Sequence, residues 1–170
     1  MASLPAAITR VGVIGSGQMG LGICYVSALH AKATVSLYDT SSTQLEKGLN
    51  LFESLLKKDI SKGKITQKDA DEARGKLNVI KGSAAGVGAF AQGPASSQPQ
   101  IIIEAVTENL TVKQNTFSKL AQCMPPDTIL ATNTSSISVT KIAACAKRSD
   151  DAEGKSSARV SGLITSQSPA

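Results

Sequence analysis

Short apolar runs alternate with stretches whose apolar residues recur every three or four positions, and that alternation runs through most of the chain. "RVGVIG" (Arg10 to Gly15) reads as a buried strand. From Gln18 to Ala31, the residues Met19, Ile23, Val26 and His30 recur at spacings of four, three and four, which predicts a helix. "ATVSLYD" (Ala33 to Asp39) reads as a second strand. Leu45, Leu49, Phe52 and Leu56 repeat in the same helical rhythm, and Thr43 with Glu46 has the spacing of a capping box at its start. The other face of this helix carries Glu46, Lys47, Glu53, Lys57 and Lys58. "ITQKDADEARGK" predicts a short charged helix, and "LNVI" a third strand.

The rhythm lapses between Gly82 and Gln100, a stretch of small residues with Gly and Pro that reads as a long loop or a frayed helix. It resumes with "IIIEAV" (Ile101 to Val106), a fully buried strand. Phe117, Leu120, Ala121 and Met124 then mark a helix that Pro125 and Pro126 end. "TILAT" predicts a fifth strand, "NTSS" a polar turn, and Ser138 to Ala146 a further helix. "RSDDAEGKSS" is a polar loop before a sixth strand, "ARVSGLI". Strands and helices in this alternation predict an α/β fold with a mainly parallel sheet covered by helices.

Composition narrows the function. The 170 residues suffice for one domain with a sizeable core. Aromatic residues make up 3% and the net charge is +5, so stacking platforms for nucleic acid are scarce, and no nucleic-acid partner is expected. No apolar run approaches the ~20 residues that span a bilayer, so no membrane partner is expected. "MASLPAAIT" lacks the pattern of a secretory signal or a transit peptide. Cys24, Cys123 and Cys145 are widely spaced and match no metal pattern. They suggest an intracellular protein, cytoplasmic or mitochondrial.

Gly15-Ser16-Gly17-Gln18-Met19-Gly20 is G-x-G-x-x-G placed between a strand and a helix. In that context Gly15 permits the tight turn, Gly17 lets backbone approach a pyrophosphate, and Gly20 lets helix and strand pack closely. Gln18 and Met19 open the helix, whose N-terminal N–H groups attract phosphate. Asp39 follows Gly20 by nineteen residues at the end of the second strand. A carboxylate there accepts ribose hydroxyls and repels a 2′-phosphate, which favours NAD over NADP. Taken as structure alone, the glycines make a turn and Asp39 is a helix partner. Together they predict a Rossmann-type, doubly wound sheet.

"GSGQMGLGI", "EAVTENLTVKQ" and "ATNTSSISVTKIA" resemble the NAD-binding domain of the 3-hydroxyacyl-CoA dehydrogenases, including 3-hydroxybutyryl-CoA dehydrogenases, over about Val11 to Leu163. The resemblance implies oxidation of a 3-hydroxyacyl-CoA to the 3-oxo compound with NAD, in fatty acid metabolism. It implies that Glu108 and Lys113 line the nicotinamide side and that Ser135 lies near nicotinamide and substrate oxygen. Asn133 and Thr134 would shape the turn, and Lys62 would contact the CoA phosphates. On residue chemistry alone, Ser135 could cap a helix, and Lys57, Lys58, Lys62 and Lys64 could be a solvated face.

In the family, the strand like "ARVSGL" leads into a catalytic His followed by Asn-Pro. Here Ile164 follows Leu163 and no Asn-Pro comes after it. The only His is His30, a helix length from the glycine loop, roughly 15 Å away. The expectation is therefore a short tail (1–9), a cofactor domain (10–163) and a divergent tail (164–170). The helical C-terminal domain that closes the site and forms the family's homodimer would be missing from this truncated chain. Such a chain keeps the cofactor site and loses the catalytic centre. A non-catalytic NAD(H)-binding or subunit-pairing module is the other reading, and an unstable product a third.

Overall fold

The apolar runs of the sequence fall on six strands, which set the frame of the computed structural model. It describes residues 7–81, 85–148, 157 and 159–162. Strand β1 (Arg10–Ile14) leads through the glycine loop into α1 (Gln18–Leu29), then β2 (Thr34–Tyr38). Helices α2 (Ser42–Ser61) and α3 (Gln67–Lys76) precede β3 (Leu77–Ile80). The second half contains β4 (Ile101–Glu104), α4 (Leu110–Cys123), β5 (Ile129–Thr132), α5 (Val139–Ala143) and β6 (Val160–Gly162). All neighbouring strands pair in parallel, in the order β3-β2-β1-β4-β5-β6. This is the doubly wound arrangement of the Rossmann fold.

Side chains of a strand alternate between the two faces of the sheet, and the core divides accordingly. Val11, Val13, Val35 and Leu37 pack with Leu21, Phe52 and Leu56 on the face covered by α1, α2 and α3. Ile14, Tyr38, Ile102 and Leu130 pack with Phe117, Leu120 and Ile142 on the other face. Helix α4 ends at Cys123 because Pro125 restricts Met124, whose backbone is extended with ψ 149°.

Local details differ from the sequence expectations. Helix α2 starts two residues earlier than the Thr43–Glu46 spacing predicts. Ser41 is its N-cap and accepts the Gln44 N–H at 3.2 Å. A capping box exists instead at α3, where Thr66 and Asp69 bond reciprocally. The Gly-rich stretch is not a plain loop. It forms two 3₁₀ turns, Gly86–Ala91 and Ala95–Ser97, and buries Val87, Ala89 and Phe90. Helix α5 is shorter than the segment to Ala146 that the pattern suggests. Residues Leu163 and Ile164, the tail from 164 to 170 and the first six residues of the N-terminal tail lie outside the described residues.

Candidate functional site

The glycine loop turns sharply at Gly15, whose φ of +100° is open to glycine and strained for other residues. A Cβ on Gly15 would lie 2.6 Å from the Ala105 carbonyl oxygen, so the loop is pressed against the chain leaving β4. A Cβ on Gly20 would lie 1.9 Å from the Gly15 carbonyl oxygen. At Gly17 the same atom would meet nothing within 4 Å. Gly17 is also the N-cap of α1, with no side-chain hydrogen bond to cap the helix. The first turn of α1 thus has backbone N–H groups that no capping side chain has claimed, beside open space. That combination fits a pyrophosphate.

Asp39 stands at the end of β2 beside this loop. Its Oδ2 accepts the Ser16 N–H at 2.8 Å and the Ser16 hydroxyl at 2.7 Å, and its Oδ1 accepts the Ser41 N–H at 2.9 Å. A carboxylate has about four acceptor positions, so one remains for a ribose hydroxyl. Asp39, Gly15 and Gly17 line a cleft of about 640 Å³. Its other walls are Tyr38 to Ser41 and Gln44, Gly86 and Val87, Ala105 to Thr107, and Val112, Asn115, Thr116 and Lys119 of α4. The cleft opens at the carboxyl ends of β1, β2 and β4, where the strand order reverses direction. Open α/β sheets bind ligands at that point.

Beside the cleft, a second cluster ties the loops after β4 and β5 together. Glu108 Oε1 accepts the Thr134 and Ser136 hydroxyls and the backbone N–H groups of Ser135 (3.1 Å) and Ser136 (3.2 Å). These donors hold its carboxyl at about 2, well below its usual 4.5. The Thr134 hydroxyl is the largest cause, partial burial opposes it, and the Ser136 and Ser135 donors add to it. Glu108 Oε2 lies 3.4 Å from Lys113 Nζ.

A carboxyl depressed on folding stabilises the fold above its unfolded value, and the gain disappears as pH falls through the folded value. The Glu108 contribution is accordingly complete above about pH 4.5 and is lost toward pH 2. In urea unfolding between pH 6 and 3, the chain is expected to lose more stability than its Glu108→Gln variant. Parallel curves for the two would remove Glu108 as the anchor of this turn.

Lys113 is fully buried, which its position in a polar stretch of sequence did not predict. Its ammonium donates to Glu104 Oε1 at 2.7 Å and Oε2 at 2.9 Å. Glu104 is also fully buried, and accepts the Val106 N–H at 2.7 Å and the Thr132 hydroxyl at 2.6 Å. Sequence reasoning missed Glu104 and Thr132. The available signal was an acid closing an isoleucine run, with Lys113 four residues before Phe117 on the buried face of the next helix.

The structure therefore brings Gly15, Gly17 and Asp39 to one cleft, and Glu108, Lys113 and Ser135 to the adjoining cluster. Gln18 and Met19 occupy the first turn of α1, and Gly20 lies buried beneath the loop. Ser135 is exposed, and Asn133 donates its N–H to the Glu104 carbonyl at 2.7 Å. Lys62 is not brought to this site. It is exposed and follows the last residue of α2, whose 20 residues extend ~30 Å from the cleft rim at Ser41. His30 is exposed at the far end of α1, with its ring 6.3 Å from that of Tyr25. Among the described residues, no helix is long and apolar enough to cross a membrane. Nor does any group of three or more His, Cys, Asp or Glu side chains among them suit a metal ion.

Residues 10–154 match the family model described as 3-hydroxyacyl-CoA dehydrogenase, NAD binding domain. A 3-hydroxybutyryl-CoA dehydrogenase of Mycobacterium tuberculosis is 37% identical over 143 residues, which are 84% of this chain and 46% of that protein. A 3-hydroxyadipyl-CoA dehydrogenase of Escherichia coli is 36% identical over 92% of this chain and 29% of its own length. The crystal structure of (S)-3-hydroxybutyryl-CoA dehydrogenase from Ralstonia eutropha superposes with a TM-score of 0.76 at 30% identity. That superposition covers 91% of this chain and 48% of the other. The chain thus spans at most about half the length of these relatives. With its glycine loop and doubly wound sheet, the chain belongs to the NAD-binding domain family of the 3-hydroxyacyl-CoA dehydrogenases, and its cofactor is NAD.

Proposed function

We propose that this chain is the cofactor-holding unit of a 3-hydroxyacyl-CoA dehydrogenase of fatty acid metabolism, and that its 170 residues bind NAD(H) without completing turnover by themselves. The observation that carries the first part is the cleft at the strand reversal, with Gly15 and Gly17 at one wall and Asp39 at another. The backbone of the glycine loop and the first turn of α1 would hold the pyrophosphate. Asp39 would hold the adenosine ribose, Glu108 and Ser135 would face the nicotinamide side, and the buried Lys113 would brace Glu108 from behind. Bound there, NAD would supply the acceptor for hydride leaving C3 of the acyl chain.

The hydroxyl proton of that substrate needs a base near neutrality, and these residues do not furnish one. Glu108 is held at about 2 and is too weak a base. The Lys113 ammonium is directed at Glu104. His30 stands at the wrong end of α1. Ser135, exposed at the turn, would orient the substrate oxygen rather than accept its proton. Lys62 would meet only a phosphate group of CoA lying far from the reacting carbon. The described cysteines are free thiols, consistent with an intracellular location, cytoplasmic or mitochondrial.

Calorimetric titration with NADH tests the reading. The chain is expected to bind saturably, and Asp39→Ala to weaken binding by about tenfold, as loss of a charged hydrogen-bond partner does. A folded chain that shows no binding would overturn the proposal. Turnover of acetoacetyl-CoA that Ser135→Ala abolishes would overturn its second part.

A further inference from the structure

The buried Glu104 carboxylate lines neither the cleft nor the surface, yet it bonds to segments that carry the Val106 and Ser135 loops. Its Oε1 takes the N–H of Val106, a cleft residue, at 2.7 Å. Both oxygens take the Lys113 ammonium, which in turn lies 3.4 Å from Glu108 Oε2. Its Oε2 takes the Thr132 hydroxyl, and its own carbonyl takes the Asn133 N–H, the two residues that lead into the 133–136 turn. Glu104 and Thr132 are register partners in adjacent strands, so one side chain spans the ends of β4 and β5.

We infer that Glu104 is a positioning residue: it sets the distance between Lys113 and Glu108, and so fixes the turn that carries Ser135. The reason lies in competition for one ammonium. Lys113 Nζ is 2.7 Å from Glu104 and 3.4 Å from Glu108, so the buried acid keeps it from closing on the outer one. Glu108 is thereby left to bind the Thr134, Ser135 and Ser136 donors. Without the Glu104 charge, Glu108 becomes the nearest anion to a buried ammonium. The pair closes, and the carboxylate is drawn off the Ser135 and Ser136 N–H groups. A purely structural pair predicts no such selectivity, since its loss weakens the whole fold and both halves of the cofactor site together.

The inference rests on the cofactor reading above, and two ligands separate the failure of one from the failure of the other. ADP occupies only the phosphate and adenosine part, whereas NADH also needs the nicotinamide side. In Glu104→Gln, NADH affinity is expected to fall about tenfold, as when the support of a binding group is removed, while ADP affinity stays within about twofold. Amide spectra of the variant should shift at Ser135 and Ser136. Equal weakening of both ligands, or of neither, overturns the inference. If Glu104→Gln does not fold, Glu104→Asp decides, because it keeps the charge but draws the carboxylate back by one methylene from Lys113, which leaves the ammonium freer to close on Glu108. An NADH-selective loss of about threefold supports the inference there, and unchanged selectivity overturns it. A native chain that binds neither ligand refutes the cofactor reading itself.

Discussion

Gly20→Ala is expected to abolish measurable NADH binding and to destabilise the fold by about 3 kcal/mol, at the upper end of what overpacking costs. The methyl group would be placed 1.9 Å from the Gly15 carbonyl oxygen, which is backbone and belongs to the tightest turn of the loop. No rotamer relieves a backbone contact. Either α1 slides away from β1, or Gly15 leaves its φ of +100°, and both movements displace the N–H groups proposed to hold the phosphates. Urea unfolding and calorimetry on the same preparation read the two effects. Gly22→Ala serves as the control. It stands two residues further along the same helix, where a Cβ meets nothing within 4 Å. There, helix propensity alone predicts a gain of up to ~1 kcal/mol with binding unchanged. If Gly20→Ala bound NADH normally, the loop would not be the phosphate site.

The second large effect lies in the core. Lys113→Met is expected to cost about 3–5 kcal/mol, because it strands a buried carboxylate by removing the ammonium paired with it. Glu104 would keep the Val106 N–H and the Thr132 hydroxyl, two neutral donors for a full charge in the interior. Adding Glu104→Leu to the same chain should restore most of the loss, since apolar replacement of a whole buried pair is often neutral. Denaturant midpoints of the two variants suffice. A mild Lys113→Met with no rescue by the second change would mean that water reaches this pair.

Much of the arrangement was readable in the residues themselves. The six strands and the glycine loop come from local patterns, namely β-branched runs and a G-x-G-x-x-G between a strand and a helix, and local patterns survive without knowledge of the fold. The places that misled are those where distant contacts decide. Ser41 rather than Thr43 caps α2, because Asp39 already holds the Ser41 N–H and sets where the chain can turn. The stretch from Gly86 to Ala91 has 3₁₀ geometry, whose period of three does not show as an amphipathic α-helix, yet Phe90 reaches the core beside Tyr38. For Lys113, what the sequence did not show is burial. Its burial depends on Glu104, which lies on another element and was hidden among isoleucines.

The position of β1 in the sheet also sets an order of events during synthesis. Val11 pairs on one side with Val35 and on the other with Ile101, which is ninety residues on. The first eighty residues contain β1, β2 and β3 with their three helices. They do not contain Ile102, Phe117 or Leu120, which cover Ile14 and Tyr38. A nascent chain at that stage carries an unpaired β1 edge and one bare sheet face, the features that invite mispairing. The Gly15 turn packs on Ala105 and the cleft borrows a wall from α4, so the cleft closes only when β4 docks. Non-local pairing of this kind is slow. Nucleotide capture during refolding of this domain would therefore time the docking of β4 and α4.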